Sequence, residues 1–204
     1  MTRERLATLI TYSLSGILVF TGVWASAVRA QTALTDSATS QHHEATPSQK
    51  SEASGLLQVV RDSTARFGDV SVAESEGYHL LFGCVSGAEA GAMGLHYANM
   101  SLVTDGELDP TRPEIVIYEP LPDGRVRLIG ADFLIFADAW HAKHPPEETP
   151  QVMGQLMHRF ESPNRFGLPA FYTLHVWAWK ENPTGTFVNW HSNVSCEAFG
   201  GQNP

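Results

Sequence analysis

The stretch AFYTLHVWAWK, residues 170–180, is the longest strongly β-prone run of the chain. Alternate side chains of a strand lie on the same face. One face then carries Phe171, Thr173, His175, Trp177 and Trp179, and the other carries Ala170, Tyr172, Leu174, Val176 and Ala178. Neither set is typical of a surface that meets water, so the pattern predicts a strand covered on both sides. Because the imidazole of His175 lies between a hydroxyl group and two indoles, this strand is the first place to look for a site.

Other runs outside this stretch also have the composition of strands, and Gly, Pro, Asp and Asn turn residues separate them. They are YHLLFGC (78–84), MGLHYANM (93–100), EIVIYEP (114–120), RVRLIGADFLIF (125–136) and TFVNWH (186–191). The element order therefore predicts a sheet that begins near residue 78 and includes the 170–180 strand.

Apolar residues recur at helical spacing upstream of these strands, from Leu56 to Phe67. This spacing predicts an amphipathic helix that ends at Gly68, followed by a short helix over 70–76. Short helices are also predicted over 137–143 and 151–160. The resulting fold class is α+β, with the N-terminal amphipathic helix packed on a mainly antiparallel, twisted sheet or partly closed β-barrel.

The N-terminal residues have the pattern of a secretory signal peptide. Residues 1–30 combine a basic start, an apolar middle and small residues near the end, at Ala25, Ala27 and Ala30. A retained membrane anchor is the alternative, since the apolar part is nearly long enough to span a bilayer. After cleavage we expect a secreted or periplasmic protein without a stable membrane anchor. Residues 31–54 are rich in Thr, Ser, Gln and Ala and predict a disordered tether, and residues 55–200 predict one globular domain.

Charge and cysteine usage restrict the partners and the compartment. The chain has a formal net charge of -9, and loss of three arginines and one glutamate with the signal peptide makes it more acidic still. Such a protein is repelled by nucleic acid and anionic lipid, so no nucleic-acid partner is expected. The chain has two cysteines, Cys84 and Cys196. An even number of cysteines in an exported protein predicts a disulfide between them. Two separate thiols bound to a metal ion remain the alternative.

Four polar residues on different predicted strands are the candidates for chemistry. His96 has small neighbours on its face, which leaves space for a ligand or for an approaching backbone. Asp132 shares a face with apolar residues, where a carboxylate is costly unless it is paired. Glu119 ends its strand before a proline, and His175 lies in the 170–180 strand. Each has a structural alternative, such as a hydrogen bond within the core or a place at the rim.

Together these residues form a candidate metal site. His96, Glu119 and His175 are the expected ligands, and His with carboxylate ligands suits zinc, iron or manganese. Asp132 or Glu119 would act as a catalytic base. Tyr97, Trp177 and Trp179 are the expected walls of a ligand pocket, although an aromatic stripe is more often core packing.

Three functions follow as hypotheses. The first is an exported domain that binds a small molecule or a metal ion in an aromatic-walled pocket. The second is a metal-assisted hydrolase of small esters or lactones. The third is a structural or interaction module without a site. GxSxG, SxxK, P-loop and GxGxxG motifs are absent from the sequence, so the serine-hydrolase and nucleotide-binding classes have no support.

Three strings also resemble an uncharacterised family of exported bacterial proteins. They are GAMGLHYANMSLVTDGELDP, PEIVIYEP and YTLHVWAWKENPTGTFVNWHSNVSC, with the motifs GAMGxHY, PExxxYEP and YxLHxWxW. The resemblance runs from about residue 77 to residue 196. It implies export and a single domain, and it transfers no catalytic residue.

Overall fold

The structure is a computed structural model that describes residues 44–87 and 89–201. The predicted signal peptide and most of the predicted tether lie outside these residues. In chain order the helices are α1 (Pro47–Thr64), a 3-10 helix (Ala65–Gly68), α2 (Val70–Ser75), α3 (Met100–Val103) and α4 (Ala137–His141). The strands are β1 (His79–Gly87), β2 (Gly91–Ala98), β3 (Ile115–Pro120), β4 (Val126–Phe136), β5 (Gln151–Val152), β6 (Gln155–Leu156), β7 (His158–Phe160) and β8 (Phe171–Val176).

The main sheet has six strands in the order β1-β2-β3-β4-β8-β7, and all neighbours are antiparallel. It curls into a half-barrel, which confirms the predicted α+β class and the antiparallel sheet. Register shifts between β1 and β2, and between β3 and β4, mark β-bulges. Bulges bend and twist a strand, so they contribute to the curl.

Strand β8, which lies between β4 and the edge strand β7, is covered on both faces, as predicted. All six of its residues are buried. Tyr172, Leu174 and Val176 pack into one core cluster together with Leu56 and Val60 of α1. Phe171 belongs to a second cluster on the other side of the strand. The polar residues between Phe171 and the end of the strand therefore face the concave interior of the half-barrel.

Helix α1 begins earlier than composition predicts. Thr46 caps it, with the Thr46 side chain accepting from the amide of Gln49 and the Gln49 side chain accepting from the amide of Thr46. This capping box satisfies amides that a helix start leaves without partners. Residues 47–54, which composition assigns to the tether, are therefore helical.

Two other segments differ from the predictions. Residues 151–160 form β5, β6 and β7 rather than a helix, because Met153 and Gly154 have positive φ and make a turn. Residues 186–191 form no strand; His191 of this segment forms an isolated β-bridge with Ala92 of β2. No helix in residues 44–87 or 89–201 combines the length and the apolar character needed to cross a membrane.

A disulfide and the side chain of Lys180 join residues 193–196 to the sheet. The predicted disulfide is present and joins Cys84 of β1 to Cys196. A disulfide indicates an oxidising, non-cytoplasmic location. Lys180 donates to Glu119 at 2.6 Å and to the carbonyl of Asn193 at 2.6 Å, which ties the end of β3 to the same segment.

Candidate metal centre

Three of the four predicted polar residues meet on the concave face of the half-barrel. His96 comes from β2, Asp132 from β4 and His175 from β8, and all three are buried. One ligand atom of each lies within 4.8 Å of the others. Asp132 and His175 are direct register partners, so their side chains project to the same side of the sheet.

The curl of the sheet brings His96 into this group. Strands β2 and β8 are three positions apart in the sheet. In a flat sheet three steps of about 4.8 Å would separate them by about 14 Å. Nε2 of His96 nevertheless lies 3.3 Å from Nε2 of His175. The site therefore depends on the curvature and not on any local sequence motif.

Glycine allows the close backbone approach beside His96. A Cβ atom on Gly94 would lie 2.6 Å from the carbonyl oxygen of Tyr118, and Gly94 has φ +92°. Val85 and Ser86 are consecutive in β1, but their partners in β2 are Gly94 and Ala92. Met93 has no partner between them and is the extra residue of a β-bulge. Met93 consequently lines the pocket on the His96 side, whereas strict alternation places it on the opposite face.

The hydrogen bonds of the two imidazoles determine where their lone pairs point. Nδ1 of His96 lies 3.2 Å from the carbonyl oxygen of Gly94, which can only accept, so this nitrogen carries the proton. Asn189 interacts with His175 closely enough to oppose the lowering of its pKa. Nδ1 of His175 and Oδ1 of Asn189 are both buried, and neither makes a hydrogen bond of strict geometry. A proton on Nδ1 directed at Asn189 satisfies both atoms, and it leaves the lone pair of His175 on Nε2.

With His175 in this tautomer, both Nε2 atoms present lone pairs to each other at 3.3 Å; with the proton on Nε2 instead, His175 would donate a hydrogen bond to His96. Burial lowers the pKa of His96 to about 4 and the pKa of His175 to about 3. Both imidazoles are therefore neutral at neutral pH, each with one N–H, and with both protons on Nδ1 no proton lies between the two Nε2 atoms. A cation between the two nitrogens would relieve the repulsion between their lone pairs.

Asp132 supplies the negative charge of the group. Its Oδ1 accepts from Oγ1 of Thr173 at 2.5 Å and from the amide of Leu174 at 3.1 Å. These bonds fix the carboxylate and do not engage Oδ2. Burial raises the pKa of Asp132 to about 6, which leaves the group ionised at neutral pH. Nδ1 of His175 lies 3.7 Å from Oδ1, too far for a hydrogen bond.

An apolar pocket lies directly above this group. The polar side chains at its floor are His96, Asp132, His175 and Thr173, and its walls are Phe82, Met93, Ile115, Leu134, Phe160, Phe166, Leu168 and Phe171. The phenylalanines contact one another, with ring centroids 5.3 Å apart for Phe82 and Phe166 and 5.1 Å apart for Phe160 and Phe171. The pocket therefore has one polar end and hydrocarbon walls.

The other predicted site residues lie elsewhere. Glu119 pairs with Lys180 and with Arg127, its register partner on β4. Burial opposes its ionisation, but the hydrogen bonds from the two cations prevail and lower the pKa of Glu119. The structure thus places Glu119 in a structural ion pair, because two cations converge on it at the end of β3.

None of the three predicted aromatic walls lines the pocket. Trp179 is 42% exposed and donates from Nε1 to the hydroxyl of Thr64. Tyr97 lies on the opposite face from His96 and packs edge-on against Tyr118, with centroids 5.0 Å apart. Trp177 is the one in contact with the group, since its ring centroid lies 5.8 Å from that of His175.

Sequence reasoning missed the roles of Thr173, Asn189 and Phe166. The alternation along β8 already puts Thr173 beside His175, so its role was detectable. Asn189 and Phe166 lie in loops, where no periodicity indicates which side chains point at a site. Comparisons of the chain with protein-family models, with curated proteins and with solved structures give no match.

Proposed function

We propose that the protein binds one divalent transition-metal ion through Nε2 of His96, Nε2 of His175 and the carboxylate of Asp132. The observation that carries this proposal is the pair of buried Nε2 atoms 3.3 Å apart, with a ligand oxygen of the Asp132 carboxylate within 4.8 Å of the histidine ligand atoms. Two imidazoles and one carboxylate are an established ligand set for zinc and for non-haem iron. The bonds from Thr173 and Asn189 orient two of these ligands, as outer partners do in metal sites.

The spacing of the two nitrogens favours a tetrahedral ion. For metal–nitrogen bonds of about 2.05 Å, a separation of 3.3 Å corresponds to an angle of about 107° at the metal. An octahedral ion with bonds of that length would bring the two nitrogens to about 2.9 Å. Zinc is therefore the ion that we expect, ahead of iron and manganese. Three protein ligands leave a fourth position open toward the pocket, as in zinc sites that bind substrate or water.

Metal analysis tests this proposal. The protein is purified without a histidine tag, and its metal content is measured beside those of His96→Ala, His175→Ala and a control, His79→Ala. His79 is an exposed histidine on β1, away from the pocket. We expect one equivalent of metal in the wild type and in the control, and loss from the other two variants. A wild-type protein that takes up no divalent ion, or ligand variants that keep it, would contradict the proposal.

A metal-assisted hydrolase is the second function to consider, and the open fourth position favours it. A metal ion lowers the pKa of bound water to about 7 and so generates a nucleophile. Among the described residues that line the pocket, Asp132 is the only carboxylate, and the proposal uses it as a ligand. Hydrolysis would then depend on metal-bound hydroxide rather than on a separate base. Ester turnover that a chelator abolishes and zinc restores would identify this activity.

A further inference from the structure

We infer that the pocket binds a short hydrophobic monocarboxylate, with the carboxylate on the open position of the metal and the hydrocarbon among the phenylalanine rings. This inference rests on the proposed metal site. It concerns the charge, the walls and the size of the space above that site.

Charge determines the head of the ligand. A divalent ion together with the ionised Asp132 leaves one net positive charge at the floor of an apolar pocket. Of the described residues that line it, Asp132 is the only carboxylate, and none is a lysine or an arginine. An uncompensated charge in apolar surroundings is costly, so a monoanion is favoured over a neutral or dianionic head. A carboxylate oxygen is also a normal zinc ligand.

The walls determine the body of the ligand. Apart from the four polar residues of the floor, the described residues that line the pocket are apolar. They offer a ligand hydrocarbon surface and no side-chain hydrogen-bond donor. Phe166 is central to this surface, since its ring lies 5.3 Å from Phe82, 6.4 Å from Phe160 and 6.2 Å from Phe171. Sugars and peptides would bury polar groups without partners here, whereas methylene groups gain by leaving water.

The dimensions limit the length of the ligand. The cavity is small, with a volume of about 30 Å³, which is room for about two water molecules. A slender chain of a few carbon atoms fits this space better than a bulky or branched molecule.

Calorimetry with the metal-loaded protein tests the inference. The ligands are formate, acetate, propionate and butyrate, with butanol as the neutral counterpart, in a buffer free of chloride and of other carboxylates. We expect the affinity to rise about fourfold for each added methylene, and butanol to bind far more weakly than butyrate. Affinity that is independent of chain length, or butanol that binds as well as butyrate, would overturn the inference.

Variants of Phe166 locate the binding site of the hydrocarbon. Phe166→Ala should reduce the gain per methylene to below about twofold, while Phe166→Leu keeps most of the apolar contact and most of the gain. Phe187→Ala is the control, because Phe187 is half-buried and packs against the cluster of α1 instead. Equal slopes for all four proteins would place the hydrocarbon elsewhere and refute the assignment.

The two proposals fail in different ways. Metal content is measured first, on the same sample. A protein without metal ends both proposals. A protein with one equivalent of metal and no preference for carboxylates leaves the metal site standing and ends the inference about its ligand.

Discussion

Replacing the buried carboxyl of Glu114 by an amide should change how the stability of the protein depends on pH. Glu114 immediately precedes β3 and is 1% exposed. Its Oε2 accepts from the amide of Leu134 at 3.0 Å. Burial raises its pKa to about 8, and the charge of Asp132 acts in the same direction. Glutamine has nearly the same shape and retains an oxygen that can accept from Leu134.

The magnitude follows from the two pKa values of Glu114. In the unfolded chain the carboxyl titrates near its ordinary value of 4.5, and in the folded protein near 8. Between these values the folded protein holds a proton that the unfolded chain has released. The free energy of unfolding therefore falls as the pH rises through this window, by about 1.4 kcal/mol per pH unit. The full loss is about 5 kcal/mol, which is an upper limit because the folded structure can relax around the charge.

Urea unfolding at pH 5 and pH 9 measures this effect, with a chelator present so that metal binding does not contribute. We expect Glu114→Gln to be within about 1 kcal/mol of the wild type at pH 5 and several kcal/mol more stable than it at pH 9. Glu197→Gln, at an exposed carboxylate, is the control and should show no such gain. A difference between Glu114→Gln and the wild type that stays constant with pH would refute the reasoning.

Three further predictions concern the disulfide and the metal site. Cys84→Ser should destabilise the oxidised protein by up to about 5 kcal/mol on the chain-entropy model, because the disulfide closes a loop with a sequence separation of 112 residues; thermal melts that match with and without the mutation would contradict this. Asn189→Leu should weaken metal binding by about 10- to 100-fold, because it removes the partner that fixes the tautomer of His175; metal titration against a chromophoric chelator checks it, and unchanged affinity would exclude the role of Asn189. The metal affinity of the wild type should fall about tenfold per pH unit below about pH 6, since protons compete for Asp132 there and only near pH 4 for His96. Asp132→Asn should bind the metal more weakly at every pH and lose the fall in affinity below about pH 6. A fall that persists in this variant would show that another group takes up the competing proton.

Strand periodicity predicted the part of the site that lies on regular strands. The alternation in β8 put Thr173 and His175 on one face, and the apolar neighbours of Asp132 indicated a carboxylate that needs a partner. Register then made Asp132 and His175 direct neighbours. Register is a property of strand pairing, and one sequence does not specify which strands pair. The sequence alone therefore does not establish that Asp132 and His175 meet.

The predictions failed where the regular period stops. Strand β8 ends at Val176, so alternation no longer governs Trp179, which turns toward Thr64. The bulge at Met93 moves that side chain to the face of His96. Glu119 keeps its place in β3, but its partner Arg127 comes from the neighbouring strand and neutralises it. Bulges, strand ends and cross-strand partners arise from tertiary structure, which local propensity does not encode.

The distribution of the three ligands along the chain has a consequence for how the protein would acquire its ion. His96 and His175 are 79 positions apart and meet only after the sheet has curled, so these ligands form no chelating segment in the unfolded chain. The ion would enter after folding, and its identity would depend on the metals available where the chain folds. The disulfide indicates that this place is an oxidising compartment. We therefore expect the metal content to depend on where the protein is produced: material folded in the cytoplasm should carry a different complement of ions from material folded after export.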